Sequence, residues 1–322
     1  MFDVMNKTIL RTPDERFTDL PDYPFEPNYV TINGLRIHYV DEGPKDGKQI
    51  LLLHGEPTWS YLYRKMIPPL AEKGYRVIAP DLVGFGKTDK FALRKDHTYD
   101  LHVEVMTKFV EALNLAEINL FIHDWGGLIG LRVVHNLSDK FITIMAANTG
   151  FPRAKGFKGL FGHMVFKRKI KQIGKVTAEE LWDNPTFLRW VAFSQTVEIF
   201  DIGELLQRAS ETELSKEELA AYDAPFPDES YKEGPRAMTM LTTSQLRLNK
   251  KVWDTTFKTW NKQFMTAFSD KDPITRGGER TFKRDIPGAR DINHPIIMNA
   301  GHFLQEDKPI ELFELLTNFI EK

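Results

Sequence analysis

Short, mostly apolar runs alternate along the chain with longer stretches whose apolar residues recur at helical spacing. The runs Ile50 to Leu53, Tyr75 to Asp81, Ile118 to Ile122, Phe141 to Ala147, Gln263 to Phe268 and Pro295 to Met298 predict strands. Their β-branched and aromatic content is that of strands covered on both faces. From His102 to Leu113, the residues Val103, Val105, Met106, Phe109, Val110 and Leu113 mark one face of a helix that leads into the Ile118 strand. Earlier, Tyr29 to Ile32 and Leu35 to Val40 flank Asn33-Gly34, a strong hairpin signal, so the sheet begins antiparallel. Strand, helix, strand alternation predicts an α/β fold, a mostly parallel sheet with helices on both faces.

The alternation breaks after residue 152. Residues 153–228 carry no strand pattern but contain aromatic-rich helical stretches, Thr177 to Trp182, Pro185 to Phe200 and Lys216 to Tyr222. This predicts a helical cap inserted into a core made of residues 1–152 and 229–322. Tyr222-Asp223-Ala224-Pro225-Phe226-Pro227-Asp228 is the Pro-punctuated return. The Pro- and Asp-rich start, to about Pro27, reads as an ordered arm on the surface, and an amphipathic helix from Pro309 to Ile320 closes the chain.

Composition narrows the partners. Forty-three Lys and Arg against 45 Asp and Glu, in 322 residues, leave a formal charge of −2 and no basic stripe suited to nucleic acid. No apolar run approaches a membrane span and the first seven residues lack a signal-peptide core, so a soluble, cytoplasmic protein without a membrane partner is expected. The absence of cysteine excludes disulfides and thiolate chemistry. Gly84-Phe85-Gly86-Lys87 lacks the spacing of a nucleotide loop and reads as a turn. No cofactor and no metal are expected.

Candidate chemistry gathers where strands end. Phe121-Ile122-His123-Asp124-Trp125-Gly126-Gly127 has the form of a strand, a sharp turn and an apolar helix, with Asp124 at the tip. A carboxylate there can attack as an oxygen nucleophile and leave an ester for a second step to hydrolyse. The plainer alternative is that Asp124 caps the helix. Gly126 and Gly127 are expected to let the backbone turn. Asp272 follows the Gln263 strand and His302 the Pro295 strand. The order nucleophile, acid, histidine is that of α/β-hydrolases. Asp270, two residues before Asp272, is the rival acid. His54-Gly55-Glu56-Pro57 lies where oxyanion donors are wanted.

These residues resemble the haloalkane dehalogenases, across nearly the whole chain from about Leu10. The most specific pieces are His54 to Pro68, Val77 to Lys90, His-Asp-Trp-Gly-Gly at His123 to Gly127, and Ala300 to Glu306. The branch typified by the Xanthobacter enzyme is the most similar. The resemblance implies Asp124 as nucleophile, His302 as base and Asp272 as the orienting acid. It also implies an oxyanion hole from the backbone N–H groups of Glu56 and Trp125, with the Trp125 indole as one halide ligand. A sibling branch has asparagine where this chain has Glu56, and its acid after the strand that here ends at Asn148. Glutamate would repel a halide and Asn148 cannot be an anionic acid, so within the resemblance both roles fall elsewhere. The second halide donor is then expected in the insertion, at Trp190 in preference to Trp182.

The implied reaction turns a haloalkane and water into an alcohol, a halide ion and a proton, with a monomer expected. An epoxide hydrolase shares the aspartate, histidine and acid but protonates its substrate from cap tyrosines, for which Tyr222 and Tyr231 are the candidates. Phe151, Phe166, Phe187, Phe193 and Leu241 are plausible walls of the substrate pocket.

Overall fold

The computed structural model describes residues 4, 6–156, 159 and 161–322. Part of the N-terminal segment and residues 157, 158 and 160 of the expected cap therefore lie outside the described residues. Among the described residues ten strands form: β1 (Ile9–Leu10), β2 (Asn28–Ile32), β3 (Leu35–Glu42), β4 (Gln49–Leu53), β5 (Arg76–Pro80), β6 (Lys90–Phe91), β7 (Ile118–His123), β8 (Phe141–Ala147), β9 (Gln263–Ser269) and β10 (Ile296–Ile297). Eight of them form one sheet in the order β10-β9-β8-β7-β4-β5-β3-β2. The pairs from β10 to β5 are parallel, and β5–β3 and β3–β2 are antiparallel. The hairpin turns at Asn33 and Gly34, both with positive φ, as a two-residue turn between twisted strands requires.

Burial explains why the apolar runs are strands. Every residue of β7 is buried, because helices cover both faces of the sheet there. Tyr99–Ala112 and Trp125–Asn136 pack against each other beside it. Thr98 caps the first of these, its side chain accepting from the Leu101 N–H. The carboxyl ends of β4, β7, β8, β9 and β10 consequently open on one edge of the molecule. In parallel sheets that edge is where ligands bind.

Among the described residues between β8 and β9 the regular elements are helices. Ala178–Asp183, Phe187–Thr196 and Lys216–Asp223 match the helical stretches expected, and Gly162–Ile173 and Ile202–Ala209 add two that were not. Two more helices, Glu233–Leu241 and Leu246–Thr255, precede β9. The N-terminal arm is tied to this region: Thr12 donates to the Pro225 carbonyl at 2.6 Å, and Arg16 to that of Ala224 at 2.7 Å. It also adds β1 to β6, a pairing too short for periodicity to show. No helix among the described residues is long and apolar enough to cross a membrane.

A buried ionic knot joins three distant segments. Arg64 and Lys65, beyond β4, meet Glu306 near the C-terminus and Glu218 on the Lys216–Asp223 helix. Arg64 Nη2 lies 3.0 Å from Glu306 and 2.5 Å from Glu218, and Lys65 Nζ lies 2.9 and 3.0 Å from the same two carboxylates. The Tyr222 hydroxyl also donates to Glu306. Arg64 and Glu306 are fully buried, so removing one partner strands a charge in a poor solvent. Glu306→Ala is expected to cost about 3–5 kcal/mol of unfolding free energy. Urea denaturation measures it, and a loss below about 1 kcal/mol would show that the knot does not hold these segments.

Candidate active site

Asp124 occupies the junction of β7 with the helix Trp125–Asn136 at φ 46° and ψ −121°. Few non-glycine residues adopt such a backbone, and it holds only where the surroundings fix it. Here they do. The Asp124 carbonyl accepts from Thr149 Oγ1 at 2.6 Å and from the Gly127 N–H at 2.9 Å, while its own N–H donates to the Asn148 carbonyl at 3.2 Å. Its side chain makes no capping bond to the helix, so the plainer alternative fails. Gly126 and Gly127 do not make the turn either. A Cβ on Gly126 would lie 2.0 Å from the Leu53 carbonyl oxygen, and one on Gly127 1.9 Å from Thr149 Oγ1. Their bareness serves close packing of helix on sheet, and Asp124 itself takes the unusual φ.

The loop after β4 closes over this carboxylate, and the Glu56 N–H donates to Asp124 Oδ1 at 2.9 Å. Burial pushes the Asp124 carboxyl above its ordinary value, while His302 and the backbone N–H groups of Trp125 and Glu56 pull it down. Oδ2 stands 3.7 Å from His302 Nε2, beyond hydrogen-bond reach. On the other side of the ring, His302 Nδ1 lies 3.2 Å from Asp272 Oδ2. Burial alone would depress the imidazole, but Asp272 first and Asp124 second raise it above its ordinary value. Burial likewise opposes the charge on Asp272, yet His302, the Thr275 hydroxyl and the Ile274 N–H outweigh it and hold the carboxyl at about 2.

Asp270 is turned elsewhere. Its carboxylate accepts from the Ala300 N–H at 3.3 Å, which ties the end of β9 to the turn before His302. Asn148, after β8, is wholly engaged: Nδ2 donates to Ser269 Oγ at 2.8 Å and to the carbonyls of Gly301 at 3.0 Å and His302 at 2.9 Å. Oδ1 accepts from the Ser269 N–H at 2.9 Å. His123 Nε2 also contacts the His302 carbonyl, at 2.9 Å. Burial holds the His123 ring near about 3, so it is neutral and Nε2 carries the donated proton.

Asp124, Trp125, Glu56 and His302 line a cavity of about 390 Å³ between the sheet edge and the insertion helices. Trp190 and Trp182 line it too, as do Leu205, Ile274 and Phe303. Trp190 stacks on Phe193, and its indole bears on the Glu56 carboxyl. Burial, then Asp124, push that carboxyl well above its ordinary value, against the pull of the Trp190 indole, and so weaken its tendency to ionise. Of the wall positions inferred from sequence, only Phe187 lines the cavity. Phe151 stacks on Trp253 in the core, Phe166 stands behind Phe187, and Phe193 stands behind Trp190. Leu241 packs against the core as well.

A family profile described as alpha/beta hydrolase fold matches residues 48–309. A haloalkane dehalogenase of Psychrobacter cryohalolentis is 44% identical, over 97% of this chain and 98% of its own. The chain belongs to the haloalkane dehalogenase family. Another member, from Mycobacterium marinum, is 40% identical over 97% of this chain and 99% of its own. Among solved structures, a haloalkane dehalogenase of Paraglaciecola agarilytica described as tetrameric superposes with a TM-score of 0.78 at 31% identity, covering 96% of this chain and 97% of that one.

Sequence reasoning about this family member missed the residues that hold the site rather than line it. The partners of Asn148, at Ser269, Gly301 and His302, are far away along the chain, and no local pattern announces them. Thr275 carried a signal in retrospect, since a hydroxyl three residues after an aspartate commonly closes a turn.

The geometry separates the two candidate acids by experiment. Asp272 raises the His302 imidazole, so Asp272→Asn is expected to lower its pKa, whereas Asp270→Asn leaves it in place. Histidine titration by NMR reads both, and an unmoved His302 in Asp272→Asn would remove Asp272 from the site.

Proposed function

We propose that this chain hydrolyses the carbon–halogen bond of haloalkanes through an ester on Asp124. The observation that carries the reading is the grip on that carboxylate: Glu56 holds Oδ1, while Oδ2 is left unbonded by His302 at the cavity floor. An Oδ2 lone pair forms the bond to carbon as the carbon–halogen pair departs with the halide. The indole N–H groups of Trp125 and Trp190, both at the cavity, receive the anion. Glu56 lines the same cavity, and its raised pKa lessens the charge it would set against the anion.

Water then attacks the ester carbonyl and passes a proton to His302 Nε2. The oxyanion forms on Asp124 Oδ1 and is met by the backbone N–H groups of Glu56 and Trp125. Collapse expels the alkoxide, which takes the proton from His302, and the regenerated Asp124 acid releases a proton to solvent. Asp272 orients the ring and stabilises the imidazolium. Esterification also removes the Asp124 charge, which is one of the two that raise His302. The imidazole thereby becomes easier to keep neutral at the step that needs a base.

An epoxide would need a proton donor opposite Asp124. No tyrosine lines the cavity among the described residues, and the Tyr222 hydroxyl is committed to Glu306 in the ionic knot. Epoxide hydrolysis is therefore not favoured. We assign residues 153–228 as the cap. Leu246–Thr255, beyond it, belongs with the core because Asn249 binds Arg132 of the Trp125–Asn136 helix at 3.2 Å. We also infer that a single chain suffices for turnover, since the proposed groups all come from one chain. The Paraglaciecola relative is described as tetrameric, and light scattering on the active enzyme decides the assembly.

The tryptophan roles predict the effect of removing one donor while keeping an aromatic wall. Trp125→Phe or Trp190→Phe is expected to weaken halide binding about tenfold to a hundredfold, and Trp182→Phe much less. Halide quenching of tryptophan fluorescence reports it, and undiminished quenching in Trp190→Phe would move the donor elsewhere. His302 serves only the second step, so His302→Gln is expected to release one equivalent of halide and stop. Mass spectrometry after 1-bromobutane should find the butyl group on the Asp124 peptide. A halide burst with that peptide unmodified would sink the nucleophile assignment.

A further inference from the structure

His302 sits on a turn that is stitched to the insertion, and one carboxylate makes the stitch. Asp307, at the end of the short helix Leu304–Asp307, sends Oδ2 to the Gly301 N–H at 2.7 Å. Its Oδ1 accepts from the N–H groups of Glu211 and Thr212, at 2.9 and 2.7 Å. Those two follow the insertion helix Ile202–Ala209, whose last carbonyl, on Ala209, accepts the His302 N–H at 2.8 Å. Gly301 makes the approach feasible, since a Cβ there would lie 2.3 Å from the Ala209 oxygen. Ala209, Glu211, Gly301 and His302 all line the cavity. Asp307 thus ties the Gly301 N–H by one bond to the two insertion N–H groups it also accepts from, and the Ala209 carbonyl holds the next N–H, that of His302. Asp307 itself touches neither the cavity nor the imidazole.

We infer that Asp307 is a positioning residue for the hydrolytic step, setting the place of His302 by clamping its turn to the end of the insertion helix. This rests on the two-step reading above, in which His302 acts only after the halide has left. Loosening the clamp then slows ester hydrolysis without slowing carbon–halogen cleavage. A purely structural role for Asp307 would affect both steps together, because Glu56, Trp125 and Asp124 would shift with the rest.

The full-length protein tests it in single-turnover mixing with 1,2-dibromoethane, following bromide release and, by quenched-flow mass spectrometry, the bromoethyl adduct on the Asp124 peptide. Asp307→Ala is expected to keep the bromide burst within about twofold while hydrolysis of the adduct slows on the order of tenfold to a hundredfold. Asp307→Asn is close in shape and guards against a folding failure. It keeps one acceptor oxygen but turns an amide N–H₂ against one of the donors, so a smaller slowing of the same step is expected. Equal slowing of both steps in the two variants, or no change in either, overturns the assignment. His302→Gln run alongside separates the causes. If it traps the adduct and the Asp307 variants do not, only the clamp is wrong; if it traps nothing, the two-step reading itself is wrong.

Discussion

The backbone at Asp124 must turn from strand to helix at a residue that carries a side chain, and the site depends on that turn. A φ of 46° costs about 1–3 kcal/mol, and the main chain is kept there by bonds on both of its peptides. The neighbours make room. Gly55, Gly126 and Gly127 each stand where a Cβ would overlap Asp124, Leu53 or Thr149. Were those positions alanine, the loop after β4 could not reach Oδ1 and the helix could not lie against the sheet. Asp124 then stands out from the strand end with one oxygen held and the other open to the cavity.

Three carboxyl groups in so small a volume pose an electrostatic problem, which an anionic product would make worse. The chain answers by giving each a different environment. Asp272 has a histidine, a hydroxyl and two backbone N–H groups, and stays ionised. Asp124 has two backbone donors and a more distant imidazole, so it can ionise and still carry a reactive oxygen. Glu56 has burial and a charged neighbour, both of which favour its neutral form. On the proposed mechanism one charge orients the base and one attacks, while the third carboxyl is biased towards its neutral form.

Much of this was legible in the sequence, for reasons that differ by residue. The sheet was readable because a parallel strand buried on both faces must be apolar throughout, and β4, β7 and β8 advertise it. Asp124, Asp272 and His302 follow parallel strands of that sheet, so their convergence at one edge came from topology. Gly126 and Gly127 were noticed for the wrong reason, because sequence does not distinguish a glycine that turns from one that is packed against. The pocket walls were the weakest part. Phe166 and Phe193 lie on helices between β8 and β9, but which face meets the cavity depends on how those helices pack on one another, and only Phe187 turned inward.

The place of the acid illustrates how tightly the rest is determined. An acid after β8 would stand at Asn148, on the strand next to Asp124. Yet the amide there donates to a hydroxyl and two carbonyls, one of them that of His302, and its oxygen takes the Ser269 N–H. A carboxylate would keep the last bond and set its other oxygen against two carbonyls, with only the Ser269 hydroxyl able to turn and donate to it. The amide therefore helps to hold the turn that carries His302, and on the proposed mechanism the charge that orients the ring comes from another strand. Asp272 meets that demand because the turn after β9 supplies its own donors, Ile274 and Thr275, to a carboxylate buried beside the ring. In the proposed site, support and charge are thus divided between the turns after β8 and β9, with Asn148 holding the turn at Gly301 and Asp272 facing the ring.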